Sequence, residues 1–275
     1  MPSNDLQLSL AGWSLQSLFR AKETPLSIYD FPRYTRDTFG IDAVELNNIF
    51  FDSTRPADLN RLRKAADDAG VAMLNIAVDE HGDLSDPNRA AREIAIANYA
   101  RWIPVAAYLG IDAIRANSGG NATSGEDAAQ NDREQCCIDS FRRLADIGQK
   151  HGIRILIENH WGLSFSPDFI VRLIKAVRLT HGDAAIGALA DWGNWPDDID
   201  RYDALQKILP FASAVHAKVN DIDENLNHPR FDHRRCIELT RAAGYCGYLG
   251  IEFESKTVEP IEGIRRGVKL LQSLI

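Results

Sequence analysis

Eight short apolar runs rich in β-branched residues recur about every thirty residues, and longer segments of helical period lie between them. The runs are Leu6–Leu10, Ala43–Leu46, Val71–Val78, Ala113–Ala116, Ile153–Glu158, Ala185–Asp191, Ala212–Lys218 and Tyr248–Phe253. The intervening amphipathic stretches include Pro56–Asp68, Pro87–Leu109, Ala128–Lys150, Pro167–Val177 and Phe231–Ala243. Gly-Ile or Gly-Val stands before a run at Gly40-Ile41, Gly70-Val71, Gly110-Ile111 and Gly152-Ile153, where glycine ends the preceding helix. No linker rich in Pro, Gly or Ser interrupts this order. It predicts an α/β fold, a single (β/α)8 TIM barrel covering residues 1–275, with an open doubly wound sheet as the alternative. The longer connections at Asn117–Asp127 and Asn220–Arg230 then fall on the C-terminal face of the barrel, where active sites of such barrels lie.

Composition excludes several functions. With 31 Lys+Arg against 39 Asp+Glu the formal charge is −8, which repels a phosphate backbone and argues against nucleic acid as a partner. The cysteines, Cys136, Cys137, Cys236 and Cys246, show no CxxC spacing and read as reduced thiols of a cytoplasmic protein. No run approaches the ~18 apolar residues that span a bilayer, and no basic and apolar leader precedes Leu6, so no membrane partner is expected. No G-x-G-x-x-G follows the first run, so no nucleotide cofactor is expected.

Four residues close or nearly close the last four apolar runs: Glu158 in IRILIENHWG, Asp191 in IGALADWGNW, His216 in AVHAKVND and Glu252 in LGIEFES. A carboxylate or imidazole embedded in an apolar strand costs several kcal/mol unless it is paired or coordinated. Any one of the four could be satisfied by hydrogen bonds alone. Together, on consecutive strands, they ask for a shared partner, and one divalent metal ion is the simplest. Three carboxylates and one imidazole form a mostly hard set suited to Mn²⁺, Mg²⁺ or Co²⁺, with Zn²⁺ also open.

The order Glu, Asp, His, Glu at these strand ends resembles the xylose isomerase-like TIM-barrel superfamily. More closely, with the stretch from Gly244-Tyr245-Cys246-Gly247 to Glu254, it is similar to its sugar phosphate isomerase/epimerase branch of ketose 3-epimerases, hydroxypyruvate isomerases and inosose dehydratases. The resemblance implies a metal held by Glu158, Asp191, His216 and Glu252, with both glutamates transferring protons on either side of a bound ketose. It also suggests a homo-oligomer. A metal on a carbonyl and its neighbouring hydroxyl stabilises an enediolate, from which epimerisation, isomerisation or elimination can follow. The expected activity is therefore a metal-dependent isomerase or epimerase of a sugar or keto-sugar. A lyase, dehydratase or hydrolase of keto-glycosides or keto-inositols is the alternative.

The neighbouring positions depart from the epimerase pattern. Three residues after Asp191 stands Asn194 instead of histidine, six after His216 stands Ile222 instead of arginine, and six after Glu158 stands Ser164 instead of a carboxylate. His160 takes the place of a functional lysine of xylose isomerase-type enzymes and is a second acid/base candidate, or else a loop histidine that shapes the pocket. Lys218 should face inward by strand alternation, toward a developing enolate oxygen or in a pair with Glu254. Trp13, Glu45, Asn75, Arg115, Asn117, Trp161, Trp192 and Asn194 are the expected substrate contacts, with Asn47 beside them. Among these the tryptophans, Trp161 and Trp192 foremost, would form the pocket wall against sugar C–H faces unless they, with Trp195, cap the core. Two other classes remain. An endonuclease IV-like DNA repair enzyme shares the superfamily, but Asn194 replaces a required histidine and Asp232-His233 lacks the expected Asp-x-His spacing. A non-catalytic sugar-binding barrel has no reason to keep all four ligands.

Overall fold

A computed structural model describes residues 6–120 and 128–275. Among these residues eight parallel strands close into a barrel in sequence order: β1 (Gln7–Ala11), β2 (Ala43–Asn47), β3 (Ala72–Ala77), β4 (Ala113–Ala116), β5 (Arg154–Glu158), β6 (Ile186–Asp191), β7 (Ala212–Lys218) and β8 (Tyr248–Glu252). β8 pairs back onto β1 with Ser9 opposite Gly250. The expected (β/α)8 TIM barrel is the fold, and strand limits shift from the expected ones by a residue or two at most.

Period-two alternation sorts each strand into two environments. Ile155 and Ile157, Ala188 and Ala190 join the large apolar layer beneath the helices. The opposite faces of the same strands bring Leu156, Leu189 and Ala113 together with Ala214 inside the barrel. Two residues further along each strand, that inward face carries Glu158, Asp191, Arg115 and His216. An apolar plug of two leucines and two alanines thus supports a charged layer at the C-terminal mouth.

The helices begin and end where their local chemistry dictates. In the helix Pro167–His181, Pro167 occupies the first turn and the Ser166 hydroxyl accepts from the Phe169 amide. The segment expected as one helix over Pro87–Leu109 is two, Arg89–Ala100 and Trp102–Leu109. Pro104 has no amide hydrogen to donate to Ala100, and the break falls at Arg101 between them. Gly110, at φ 75°, closes the second of these in the left-handed conformation. No helix among the described residues is long and apolar enough to cross a membrane. Residues 121–127 of the connection expected after β4 lie outside the described residues.

Candidate active site

The inward face at the ends of β5 to β8 brings Glu158, Asp191, His216 and Glu252 together, all buried, with one ligand atom from each within 4.8 Å of the others. His216 Nδ1 stands 3.7 Å from Glu158 Oε1, 3.8 Å from Asp191 Oδ2 and 3.5 Å from Glu252 Oε2. His216 Nδ1, Asp191 Oδ2 and Glu158 Oε2 are buried without a hydrogen-bond partner. Buried polar atoms are rarely left so, and His216 Nδ1 and Asp191 Oδ2, 3.8 Å apart with Glu158 Oε1 and Glu252 Oε2 beside the imidazole nitrogen, fit a divalent cation. The other Asp191 oxygen is already fixed, since Oδ1 accepts the Gly193 amide at 2.6 Å and the Asn194 amide at 2.8 Å. Asn159 then clamps the Asp191 backbone through its side-chain amide, 2.8 Å in both directions.

Charge around the cluster is strongly coupled. Burial opposes ionisation of Glu158, yet His160 and Arg115 hold its carboxyl down at about 2. Burial raises Asp191 to about 7, against the pull of Lys218, with Glu252 and Glu158 adding to the rise. Burial likewise opposes the charged forms of His216 and Glu252. Glu45 and Glu252 nevertheless lift His216 well above its usual value, and Lys218 and His216 pull Glu252 well below. Lys218 Nζ donates to Glu252 and, at 2.9 Å, to Glu254, and lies 3.5 Å from Asp191 Oδ2. It therefore belongs to the cluster as well as pairing with Glu254.

The expected contacts divide into three groups. At the mouth, the Asn194 side-chain amide donates to Glu158 Oε1 at 3.2 Å, and His160 Nδ1 lies 3.1 Å from Asn117 Oδ1 and 3.9 Å from Glu158 Oε2. Trp161 is 39% exposed beside them, and Trp13 stacks against Phe50 at 6.4 Å on the β1 side of the mouth. A second group is held in part-buried pairs beside the cluster. Arg115 bonds Asp79 at 2.7 Å and reaches Glu158 Oε2 at 3.1 Å, while Asn117 also donates to Asp79 at 3.0 Å. Glu45 and Asn75 form the third group. They lie away from the mouth and hold His216 instead of facing it: Glu45 Oε2 meets His216 Nε2 at 2.8 Å and accepts the Asn75 amide at 2.7 Å. Both line a cavity of about 420 Å³ at the opposite, N-terminal end of the barrel, together with Asp112 and Gly152.

Trp192 corrects the expectation of a paired indole wall. It is fully buried and packs edge-on against His233 at 5.8 Å, because one residue past inward-facing Asp191 the alternation turns its side chain toward the helices. Trp195, 2% exposed, is a core residue too. Asp79 and Ser9 were missed. Asp79 directly follows the third apolar run, where its strand-end position was the available signal, and Ser9 is one of the two polar residues, with Gln7, of alternating LQLSL.

A sequence model of the family described as xylose isomerase-like TIM barrel matches residues 34–274. The chain belongs to that family. Among solved structures, this xylose isomerase-like barrel is similar to the apo form of a 3-keto-D-glucoside 4-epimerase from E. coli, at 14% identity and TM-score 0.75, covering 98% of this chain and 100% of that one. It is also similar to a D-psicose 3-epimerase solved with D-fructose, at 17% identity and TM-score 0.70, over 96% and 90% of the two chains. A xylose isomerase-like TIM barrel protein from Mycobacterium smegmatis in complex with magnesium matches at 19% identity and TM-score 0.69, over 100% and 99%. At these identities the likeness establishes the fold. A segment of 74 residues is 35% identical to the C-glycoside deglycosidase alpha subunit of Arthrobacter globiformis. That segment spans 25% of this chain and 21% of the subunit, about a fifth of the relative's length.

Proposed function

We propose that this barrel is a divalent-metal-dependent isomerase or epimerase of a sugar or keto-sugar that works by removing a proton next to a carbonyl. The observation that carries the reading is the meeting of four buried side chains, Glu158, Asp191, His216 and Glu252, at the mouth, with His216 Nδ1 and Asp191 Oδ2 left without a hydrogen-bond partner. Glu158, Asp191, His216 and Glu252 would hold the cation, which when bound supplies Lewis-acid stabilisation of the charge developing on the carbonyl oxygen. Glu158 from β5 and Glu252 from β8 are the two carboxylates placed to take and return the proton at carbon. Return to the same carbon from its other side inverts that centre, and delivery to the adjacent carbon isomerises the sugar. Lys218 Nζ and His160 are the further donors for sugar oxygens, and Trp161 offers an exposed ring for C–H faces.

A second reading has a specific observation behind it. The segment shared with a C-glycoside deglycosidase alpha subunit favours elimination from a keto-glycoside, in which the proton leaves the carbon beside the carbonyl and the aglycone departs from the next carbon. The absence of the epimerase partners supports it: Asn194 stands where a histidine would be, Ile222 is 2% exposed in the core, and Ser164 is 1% exposed and bonded within its own loop. Both readings share the cation, the carboxylates and the proton abstraction.

Mass spectrometry of substrates incubated in ²H₂O with Mn²⁺ or Mg²⁺ tests the proposal across ketopentoses, ketohexoses, inososes and 3-keto-glucosides. Deuterium at carbon with the skeleton retained supports the isomerase or epimerase, and exchange with loss of water or aglycone selects the elimination. No exchange in any class overturns both.

A further inference from the structure

We propose that Glu45 is a positioning residue for the cation: from the far side of the barrel it fixes His216 so that Nδ1 faces the three carboxylates. The inference rests on the cation site proposed above.

Glu45 lies on β2 and His216 on β7, 171 residues apart, and their side chains meet inside the barrel at 2.8 Å between Oε2 and Nε2. An ionised carboxylate only accepts hydrogen bonds, so the imidazole proton sits on Nε2, and a neutral ring is left with its lone pair on Nδ1. That nitrogen is the one aimed at Glu158, Asp191 and Glu252. A histidine ligand held through its second nitrogen by a carboxylate is fixed in both tautomer and ring orientation and is made a stronger donor.

Glu45 is itself immobilised. The Ser9 hydroxyl donates to Oε1 at 2.7 Å and the Asn75 amide to Oε2 at 2.7 Å, so both oxygens are committed before any substrate arrives. Ser9, Asn75, Glu45 and His216 come from four different strands and are all buried. The barrel makes room for the crossing at one place, Gly250 on β8, where a Cβ would run into Glu45 Oε1 and His216 Cδ2. Since Glu45 also lines the cavity at the N-terminal end, it approaches His216 from below the mouth.

The test is Glu45→Gln, with Co²⁺ binding to the full-length protein measured by competition against a fluorescent chelator and by the visible d–d spectrum of the Co²⁺ complex. The expected result is about 10- to 100-fold weaker binding with altered d–d bands, in a protein whose far-ultraviolet circular dichroism matches the parent. Ser9→Ala, which removes one hydroxyl, should shift the affinity in the same direction by a smaller factor, and it decides the matter if Glu45→Gln does not fold. Unchanged affinity and spectrum in the folded variant overturn the inference while leaving the proposed reaction intact. Lost turnover with unchanged Co²⁺ binding also overturns it and assigns Glu45 to the substrate. A parent protein that binds no Co²⁺, Mn²⁺ or Mg²⁺ overturns the cation site and this inference together.

Discussion

Arg115 Nε stands 3.1 Å from Glu158 Oε2, the two side chains being 4% and 1% exposed, close enough for an ion pair but not aligned as a hydrogen bond. The guanidinium is anchored on its other side by Asp79 at 2.7 Å. One cation thus serves buried Glu158 and part-buried Asp79, and it is held where it stabilises ionised Glu158 without occupying the atom that faces the cluster centre. Breaking a buried ion pair by removing one partner leaves an uncompensated charge and costs about 3–5 kcal/mol.

Arg115→Ala should therefore lower unfolding free energy in urea by an amount of that order. Arg115→Ala combined with Asp79→Ala should lose less than the sum of the two single changes, because the charge that the single change strands is gone. Strict additivity in this double-mutant cycle would show that the pair contributes nothing as a pair.

The glutamates at the ends of β5 and β8 carry the proposed proton transfer, so Glu158→Gln and Glu252→Gln should each reduce deuterium exchange into substrate by about 10²- to 10⁴-fold. The barrel should stay folded in circular dichroism, since its apolar layers lie below and outside the charged mouth. A variant that exchanges at the parent rate removes the central assignment.

How far the sequence could be read depended on whether a residue's role follows from strand alternation alone. The barrel and the meeting of Glu158, Asp191, His216 and Glu252 were legible because each ligand ends or nearly ends an apolar strand, and closure of the sheet brings consecutive strand ends together. Trp192 was misread because proximity in sequence to Asp191 was given more weight than alternation, which turns adjacent side chains to opposite faces. Glu45 and Asn75 were expected as substrate contacts, and what could not be read was their level along the barrel axis. That level depends on the stagger between strands, and β2 and β3 slip in register between Val44 and Leu46. Asp79 sits one residue past its run, a strand-end position that signals a polar role but does not name its carboxylate's partners, Arg115 on β4 and Asn117 just after it, since that pairing is tertiary.

Asn194 separates specificity from metal binding. Its backbone amide helps to fix Asp191 Oδ1, a contact that any residue keeps, whereas its side chain alone touches Glu158. Asn194→His should accordingly leave bound metal per chain near the parent value by elemental analysis. The same change should alter the ratio of kcat/KM between two accepted sugars by about 10-fold, on the scale of one repositioned polar contact. Identical preference profiles would show that this loop takes no part in substrate choice.

Cation affinity should rise steeply with pH, and the sign follows from which form of each ligand the metal-free protein favours. Burial, with Glu252 and Glu158 alongside, raises Asp191 to about 7, and His216 lies well above its usual value despite burial because Glu45 and Glu252 face it. Below pH 7 both groups therefore carry protons that a cation must displace, and metal binding releases them. Log affinity for Mn²⁺ should climb by more than one per pH unit between about pH 5.5 and 7, then flatten toward a slope near one as Asp191 ionises on its own. Calorimetric titrations in buffers of different ionisation enthalpy count the released protons directly. A pH-independent affinity over that window would mean that Asp191 and His216 are already deprotonated in the free protein, and that the charge of Lys218 beside Asp191 outweighs the burial of the pair.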